Sequence, residues 1–259
     1  MASRAPLSNL PIPSLGESEL ARRIQLASVP DEEAAAVSRP KWHRFLRELE
    51  YLLEPVRRPF RRIEVAKSDN PSIVLILPGF GADSRKMRYL ARQLERAGHK
   101  TKRWGLGSNW GATETTLDAL EERLDTVCRR YDRPVVLLGW GLGGLYAREL
   151  AKRRPDCISR VITMGSPFSG SPRANNIWRA YQFIAGHRVE APPFAADLAE
   201  KPPVPTTALW SPCDGAIAPR SAAGQPGERD RAIALRCTHM GFSYSPEAIQ
   251  AVLSELERN

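Results

Sequence analysis

Three positions of this 259-residue chain carry residue types and surroundings that could share one chemistry: Gly141, Asp214 and His239. Gly141 lies in Val135-Val136-Leu137-Leu138-Gly139-Trp140-Gly141-Leu142-Gly143-Gly144, an apolar run that passes into a glycine-rich turn and then a helical segment, 145–153. A sharp strand-to-helix turn of the pattern G-x-S-x-G lifts a serine to its tip, where the hydroxyl is exposed as a nucleophile. Gly139 and Gly143 match the flanking glycines, which such a turn needs because it brings backbones too close for side chains. Gly141 occupies the serine's place, so the attacking oxygen is absent. Downstream, Asp214 follows an apolar run in Cys213-Asp214-Gly215, and His239 follows another in Thr238-His239-Met240-Gly241. A histidine and a carboxylate are the residue types of acid–base work.

These residues need a scaffold that brings distant loops together. Residues 72–77 (Ser-Ile-Val-Leu-Ile-Leu) form a short continuous apolar run, as expected of a strand buried on both faces. It leads into Pro78-Gly79-Phe80-Gly81-Ala82-Asp83 and a helix expected over 84–97. Strands are expected at 204–211 and 231–236, and a closing helix at 246–257. From Phe60 onward strand and helix patterns alternate, which implies a mostly parallel sheet with helices on both faces. The length suits one such domain. The segment 168–203 interrupts the alternation and contains Pro192-Pro193 and Pro202-Pro203. A helix at 175–185 with Ile177, Trp178, Tyr181 and Ile184 on one stripe makes it a cap. Trp178, Tyr181 and Ile184 are expected to line an apolar substrate pocket, with packing on the sheet as the compatible plainer alternative.

The stretches 78–83, 135–144, 161–168 (Val-Ile-Thr-Met-Gly-Ser-Pro-Phe), 211–215 and Thr238-His239 together resemble the α/β-hydrolase fold family, in its bacterial lipase- and esterase-like form. The resemblance covers roughly residues 60 to 258. It implies an α/β-hydrolase fold with a short cap insertion, and the chain order of nucleophile, acid and base fits Gly141, Asp214 and His239. By that likeness Asp214 orients the imidazole of His239, and His239 is the general base toward a serine hydroxyl. The oxyanion hole would be the main-chain N–H groups of Phe80 and Leu142, which do not depend on the serine. The chain departs from the family's pattern at the nucleophile. Ser166, outside the elbow, reads as structural.

Gly141 admits three readings. It replaces a hydrolytic serine, leaving a serine esterase or lipase that is inactive or very slow. It belongs to a non-catalytic protein that keeps the pocket for a ligand or partner. Or water fills the space and His239 activates it directly. Retention of both Asp214 and His239 favours the first, and whether the protein is an enzyme stays open.

The first 58 residues form a partly helical extension to a domain spanning 59–259. Helices are expected over 17–27 and 40–53. In the second, Trp42, Phe45, Leu46, Leu49 and Leu53 recur at helical spacing, followed by Arg57, Arg58, Arg61 and Arg62. The favoured expectation is that Trp42 and Phe45 are buried against the domain, because Glu48, Glu50 and Glu54 dilute the basic face. The alternative is peripheral contact with an anionic membrane. The net charge of +9 comes without any nucleic-acid recognition motif and is read as steering and solubility, so no nucleic-acid partner is expected. The four cysteines lack zinc-type spacing, and no metal or cofactor is expected. Free thiols are the default, though Cys213 and Cys237 flank residues expected to meet and so could bond. A cytoplasmic location and a small-molecule ester or acyl ligand complete the expectations. Oligomeric state is not legible.

Overall fold

The apolar runs of the sequence become the inner strands of a six-stranded sheet. The computed structural model describes residues 18–28, 39–57, 63–194 and 197–258. The Pro- and Ser-rich stretch 1–16 and Arg58, Arg61 and Arg62 lie outside the described residues. In chain order the elements are α1 (Glu19–Ser28), α2 (Trp42–Arg47), α3 (Glu54–Arg57), β1 (Ile73–Leu77), α4 (Arg88–Ala97), β2 (Lys100–Arg103) and α5 (Thr116–Tyr131). They continue with β3 (Val135–Trp140), α6 (Leu142–Arg153), β4 (Ile158–Met164), α7 (Trp178–Ala185), β5 (Thr206–Trp210), α8 (Pro219–Ala223), β6 (Arg231–Ala234) and α9 (Pro246–Leu256).

The strand order is β2-β1-β3-β4-β5-β6, and all five pairings are parallel. Alternation along each strand splits the core into two layers. Val74, Ile76, Val136, Leu138 and Ile162 pack with Leu90 and Leu94 of α4 and Ile249 and Val252 of α9. Ile73, Leu75, Val135, Leu137 and Val161 pack with Leu120 and Leu124 of α5 and Tyr146 and Leu150 of α6. This is the doubly covered parallel sheet expected from the alternating pattern. The chain turns outward from β1 to β2 and then resumes at β3 on β1's other side. Ligands of open parallel sheets bind outside the carboxyl ends of the strands at such a switch point. Here those ends bear Gly79-Phe80 and Gly141.

Several local expectations are corrected. The edge strand β2, Lys-Thr-Lys-Arg, went unread because an edge strand shows little of its surface to the core and so carries no apolar signal. The helix expected from residue 84 starts at Arg88, after a turn over 84–87. The helix expected over 40–53 is not continuous: α2 passes into a 3₁₀ segment, Glu48–Leu53, before α3. Trp42 and Phe45 are not buried, being 70% and 38% exposed. The arm formed by 39–57 is seated through polar groups and its backbone rather than through its apolar stripe. Arg44 donates to the carbonyl of Pro212 at 2.7 Å, and Glu54 is buried. Asn176 Nδ2 donates to the carbonyl of Pro40 at 3.0 Å. Further out, α1 caps α7, with Arg22 and Arg23 donating to the carbonyls of Gly186 and Ile184. Cationic side chains satisfy the orphan carbonyls at that helix end. Among the described residues, no helix is long and apolar enough to cross a membrane.

Candidate active site

Gly141 stands between the last residue of β3 and the first of α6, at φ 52° and ψ −118°. This is the strained turn the glycine pattern requires, and the flanking residues show why. A β-carbon on Gly143 would overlap the carbonyl oxygen of Leu77 at 2.3 Å, so strand and helix approach at backbone contact. The elbow is held by two main-chain bonds: Gly141 N–H to Met164 O at 2.9 Å and Gly144 N–H to Gly141 O at 3.1 Å. At the tip there is room. A β-carbon on Gly141 would stand 3.4 Å from Nε2 of His239, an ordinary contact.

Asp214 and His239 arrive from the loops that follow β5 and β6. Nδ1 of His239 donates to Oδ2 of Asp214 at 2.8 Å, and both side chains are buried. The other carboxylate oxygen of Asp214 accepts the N–H groups of Ala216 and Ile217, each at 2.8 Å. Every lone pair in use therefore fixes the carboxylate plane. The ring of His239 lies beside Trp140, whose indole N–H donates to the His239 carbonyl at 3.1 Å, and Phe242 meets it edge-on. Burial alone would push this imidazole's pKa down. The charge and hydrogen bond of Asp214, with the charge of Glu48, outweigh that and hold it above the usual histidine value.

Sequence reasoning missed two supports of this pair. Gly165, after β4, has φ 55°, and a β-carbon there would lie 3.0 Å from both Asp214 Oδ2 and His239 Nδ1. Its signal was present in Met164-Gly165-Ser166, a glycine immediately beyond a buried strand. Glu48 is the second. Its Oε1 accepts the N–H of Gly215 at 2.9 Å and of His239 at 2.8 Å, and its Oε2 accepts the N–H of Met240 at 2.8 Å. Nothing local marked it, since its partners lie far along the chain. Ser166 is fully buried, with Oγ in the space a side chain on Gly144 would need, in keeping with its reading as structural.

A cavity of about 480 Å³ opens above Gly141 and His239. Phe80 and Leu142 line it, as do Trp178 and Tyr181 with Ile177 of the cap segment. Ile184 is not among its lining residues: it lies near the far end of α7, where its carbonyl accepts from Arg23. The unexpected wall is the arm, which contributes Phe45, Leu46, Leu49 and Leu52. Tyr181 packs on Phe80 at a ring separation of 5.2 Å, and its hydroxyl accepts the N–H of Ala112 at 3.3 Å. The turn around Phe80 is braced by Gly81 N–H to Asn109 O and by Asn109 Nδ2 to Pro78 O, both at 2.8 Å. All four cysteines are free, so Cys213 and Cys237 are not bonded. Burial raises the Cys237 thiol to about 12, which makes it inert at neutral pH.

A family profile described as alpha/beta hydrolase fold matches residues 63–183. The biotin biosynthesis bifunctional protein BioHC of Teredinibacter turnerae is 30% identical over 122 residues, 43% of this chain. That match covers about a fifth of the relative's length (21%). Among solved structures, Aspergillus fumigatus lipase B has a TM-score of 0.54 at 15% identity, covering 76% of this chain and 56% of the lipase. Polyneuridine aldehyde esterase has a TM-score of 0.51 at 16% identity, covering 73% of this chain and all of the esterase. The thioesterase domain from the curacin biosynthetic pathway has a TM-score of 0.50 at 15% identity, covering 73% of this chain and 93% of the domain. The matched segment, the parallel sheet and these likenesses define a protein of the α/β-hydrolase fold.

Proposed function

We propose that this is a carboxylic ester hydrolase site of the serine esterase or lipase type whose nucleophile position is held by glycine. In this chain, acyl transfer through a covalent intermediate is absent and any hydrolysis is very slow. The observation that carries the reading is the 3.4 Å approach between His239 Nε2 and the place of a β-carbon on Gly141. A hydroxyl on that carbon would face an imidazole already oriented by Asp214. The fold's solved relatives named above as an esterase, a lipase and a thioesterase support the reaction class.

With serine at position 141, its oxygen would attack the ester carbonyl as Nε2 of His239 takes the proton. Asp214 would stabilise the imidazolium without itself becoming protonated. The N–H groups of Phe80 and Leu142 are the proposed oxyanion donors. Leu142 begins α6, and the N–H groups of a helix's first turn have no intrahelical acceptor. Loss of one such donor costs about 10²–10³ in rate. The imidazolium would then protonate the leaving alcohol, and water would release the acid by the same proton relay. Without the serine, only positioning, the base and the oxyanion donors remain. Such a remnant gives about 10³–10⁴-fold over water in a serine protease.

The test is Gly141→Ser. It should hydrolyse short p-nitrophenyl esters and label covalently with a fluorophosphonate probe, whereas the parent chain should do neither at this position. A well-folded Gly141→Ser without turnover or labelling on any ester sinks the hydrolase reading. An acyl-binding protein then takes the lead, favoured by the apolar cavity and tested by ligand-induced thermal stabilisation of the parent chain.

The arm is also proposed as a peripheral contact with anionic membranes. Its support is the exposure of Trp42 and Val56, at 70% and 68%, beside Lys41, Arg44, Arg47 and Arg57. An apolar face rimmed by cations is the composition of interfacial helices.

A further inference from the structure

We propose that Glu48 is a positioning residue for the Asp214–His239 pair, and that the arm of residues 39–57 thereby completes the site. One carboxylate ties together two loops that the sheet alone leaves separate. Gly215 follows Asp214 on the loop after β5, and His239 and Met240 lie on the loop after β6. Their three N–H groups all donate to Glu48, at 2.9, 2.8 and 2.8 Å. All three donors lie beyond the last strand residues, Trp210 and Ala234, and so outside the sheet's own ladder. A charged acceptor on main-chain donors is among the stronger hydrogen bonds.

The clamp is built rather than incidental. The backbone of Arg44 passes so close to Gly215 that a β-carbon there would lie 2.3 Å from the Arg44 carbonyl oxygen. Tyr51 packs on Tyr244, a few residues beyond His239 in the chain, at a ring separation of 5.7 Å. Asn176 Nδ2 bridges the carbonyls of Pro40 and Gly215 at 3.0 and 2.8 Å, which adds the cap segment to the same junction. Opposite the clamp, Trp140 holds the carbonyl of His239. Main-chain N–H and C=O of the base are thus gripped from two sides, leaving the ring to face Gly141.

Glu50 makes the contrast. It is on the same arm but pairs at the surface with Arg47 and Arg57, at 3.4 and 3.6 Å. Exposed pairs of that kind contribute little. Glu48, with Asp214, is one of the two charges that favour the protonated imidazole. The same arm walls the cavity with Phe45, Leu46, Leu49 and Leu52, so a ligand packed against it presses on the segment that holds the base.

The experiment uses the full chain with Gly141 in place, so its outcome is independent of whether Gly141→Ser hydrolyses esters. The His239 pKa is followed by NMR titration of the imidazole in the parent, Glu48→Gln, Glu48→Asp and Glu50→Gln. Amide exchange is measured at Gly215, His239 and Met240. Glu48→Gln should lower the pKa and speed exchange at the three amides by about tenfold or more. Glu48→Asp should recover the pKa in part, and Glu50→Gln should change neither quantity. An unchanged pKa together with unchanged exchange in Glu48→Gln overturns the proposal. If Glu48→Gln does not fold, the parent decides: slow exchange at all three amides supports the clamp, and loop-like fast exchange overturns it.

Discussion

Nδ1 of His239 donates to Oδ2 of Asp214 at 2.8 Å while the opposite ring nitrogen looks onto the bare α-carbon of Gly141. The pair is therefore oriented for a partner that the sequence does not supply. Three loops from three strand ends converge there, and the bonds that hold them, from Met164, Glu48 and Trp140 among others, involve no side chain at position 141. This separation of scaffold from nucleophile makes the site testable by single substitutions.

In the Gly141→Ser background, Asp214→Asn should lower kcat by about 10⁴, the scale found when a triad aspartate is amidated. The amide would still accept from Ala216 and Ile217 through its oxygen, turning its NH₂ toward His239 and favouring the wrong tautomer. Steady-state kinetics on a p-nitrophenyl ester, with folding verified by circular dichroism, decides it. A loss of less than tenfold would remove Asp214 from the proposed mechanism.

The raised pKa of His239 fixes the sign of two pH dependences. The base works only when neutral, so ester hydrolysis by Gly141→Ser should climb with pH, with its midpoint above the ordinary value of 6.5. Stability runs the other way. A group whose folded pKa is raised contributes stability fully below its unfolded pKa, and loses it as pH rises through the folded pKa. The Tm deficit of Asp214→Asn relative to the parent should thus be larger at pH 6 than well above the folded pKa of His239. A deficit that grows with pH would contradict the assignment.

Gly165→Ala should destabilise the fold by about 1–3 kcal/mol, the range for overpacking a filled interior. The new methyl would crowd Phe242 at 2.8 Å and both members of the Asp214–His239 pair at 3.0 Å. Gly170→Ala is the control, because its φ is also positive but nothing lies within 4 Å of the added carbon. Urea denaturation of the two variants separates steric crowding from backbone strain. Equal losses would mean that the backbone conformation alone requires glycine at 165.

The sheet and elbow were legible because their signals are local. The apolar runs that became β1 and β3 are short, continuous and bounded by glycine, and Gly139 and Gly143 mark the backbone contact directly. Asp214 and His239 were legible by order along the chain, each just after a strand. The arm was not legible. Its apolar residues recur at helical spacing, which suggested burial, yet its seat is set by Glu48, whose His239 partner lies 191 positions away. In sequence, Glu48 reads as a charge that dilutes a basic face. Ile184 fails for a related reason: the stripe of α7 was real, but α1 reaches the end of that helix and the cavity does not extend so far.

The arm's wall of the cavity gives a prediction about ligand binding. A saturated fatty acid of medium length should raise the Tm of the parent chain in a concentration-dependent manner. Leu49→Glu should abolish that shift while leaving the unliganded Tm nearly unchanged, because Leu49 is 60% exposed along the cavity's side. Thermal denaturation across a ligand series reads both quantities. A full shift retained in Leu49→Glu would exclude the arm from the binding surface.

The outer side of the arm can be tested separately from its inner wall. Vesicles of phosphatidylglycerol should co-sediment the full chain, and vesicles of phosphatidylcholine should do so less, because cations beside Trp42 add electrostatic attraction to apolar insertion. Trp42 and Val56 do not line the cavity, so Trp42→Ser with Val56→Ser should weaken sedimentation while sparing the fatty-acid Tm shift. Raising salt should release the anionic-vesicle component, since screening shortens the reach of surface charges. Equal sedimentation of the parent and the double variant would assign the exposed apolar residues of the arm no part in membrane contact. The Glu48 clamp would be untouched by that result, because its three hydrogen bonds lie on the arm's inward side, against the loops that carry Asp214 and His239.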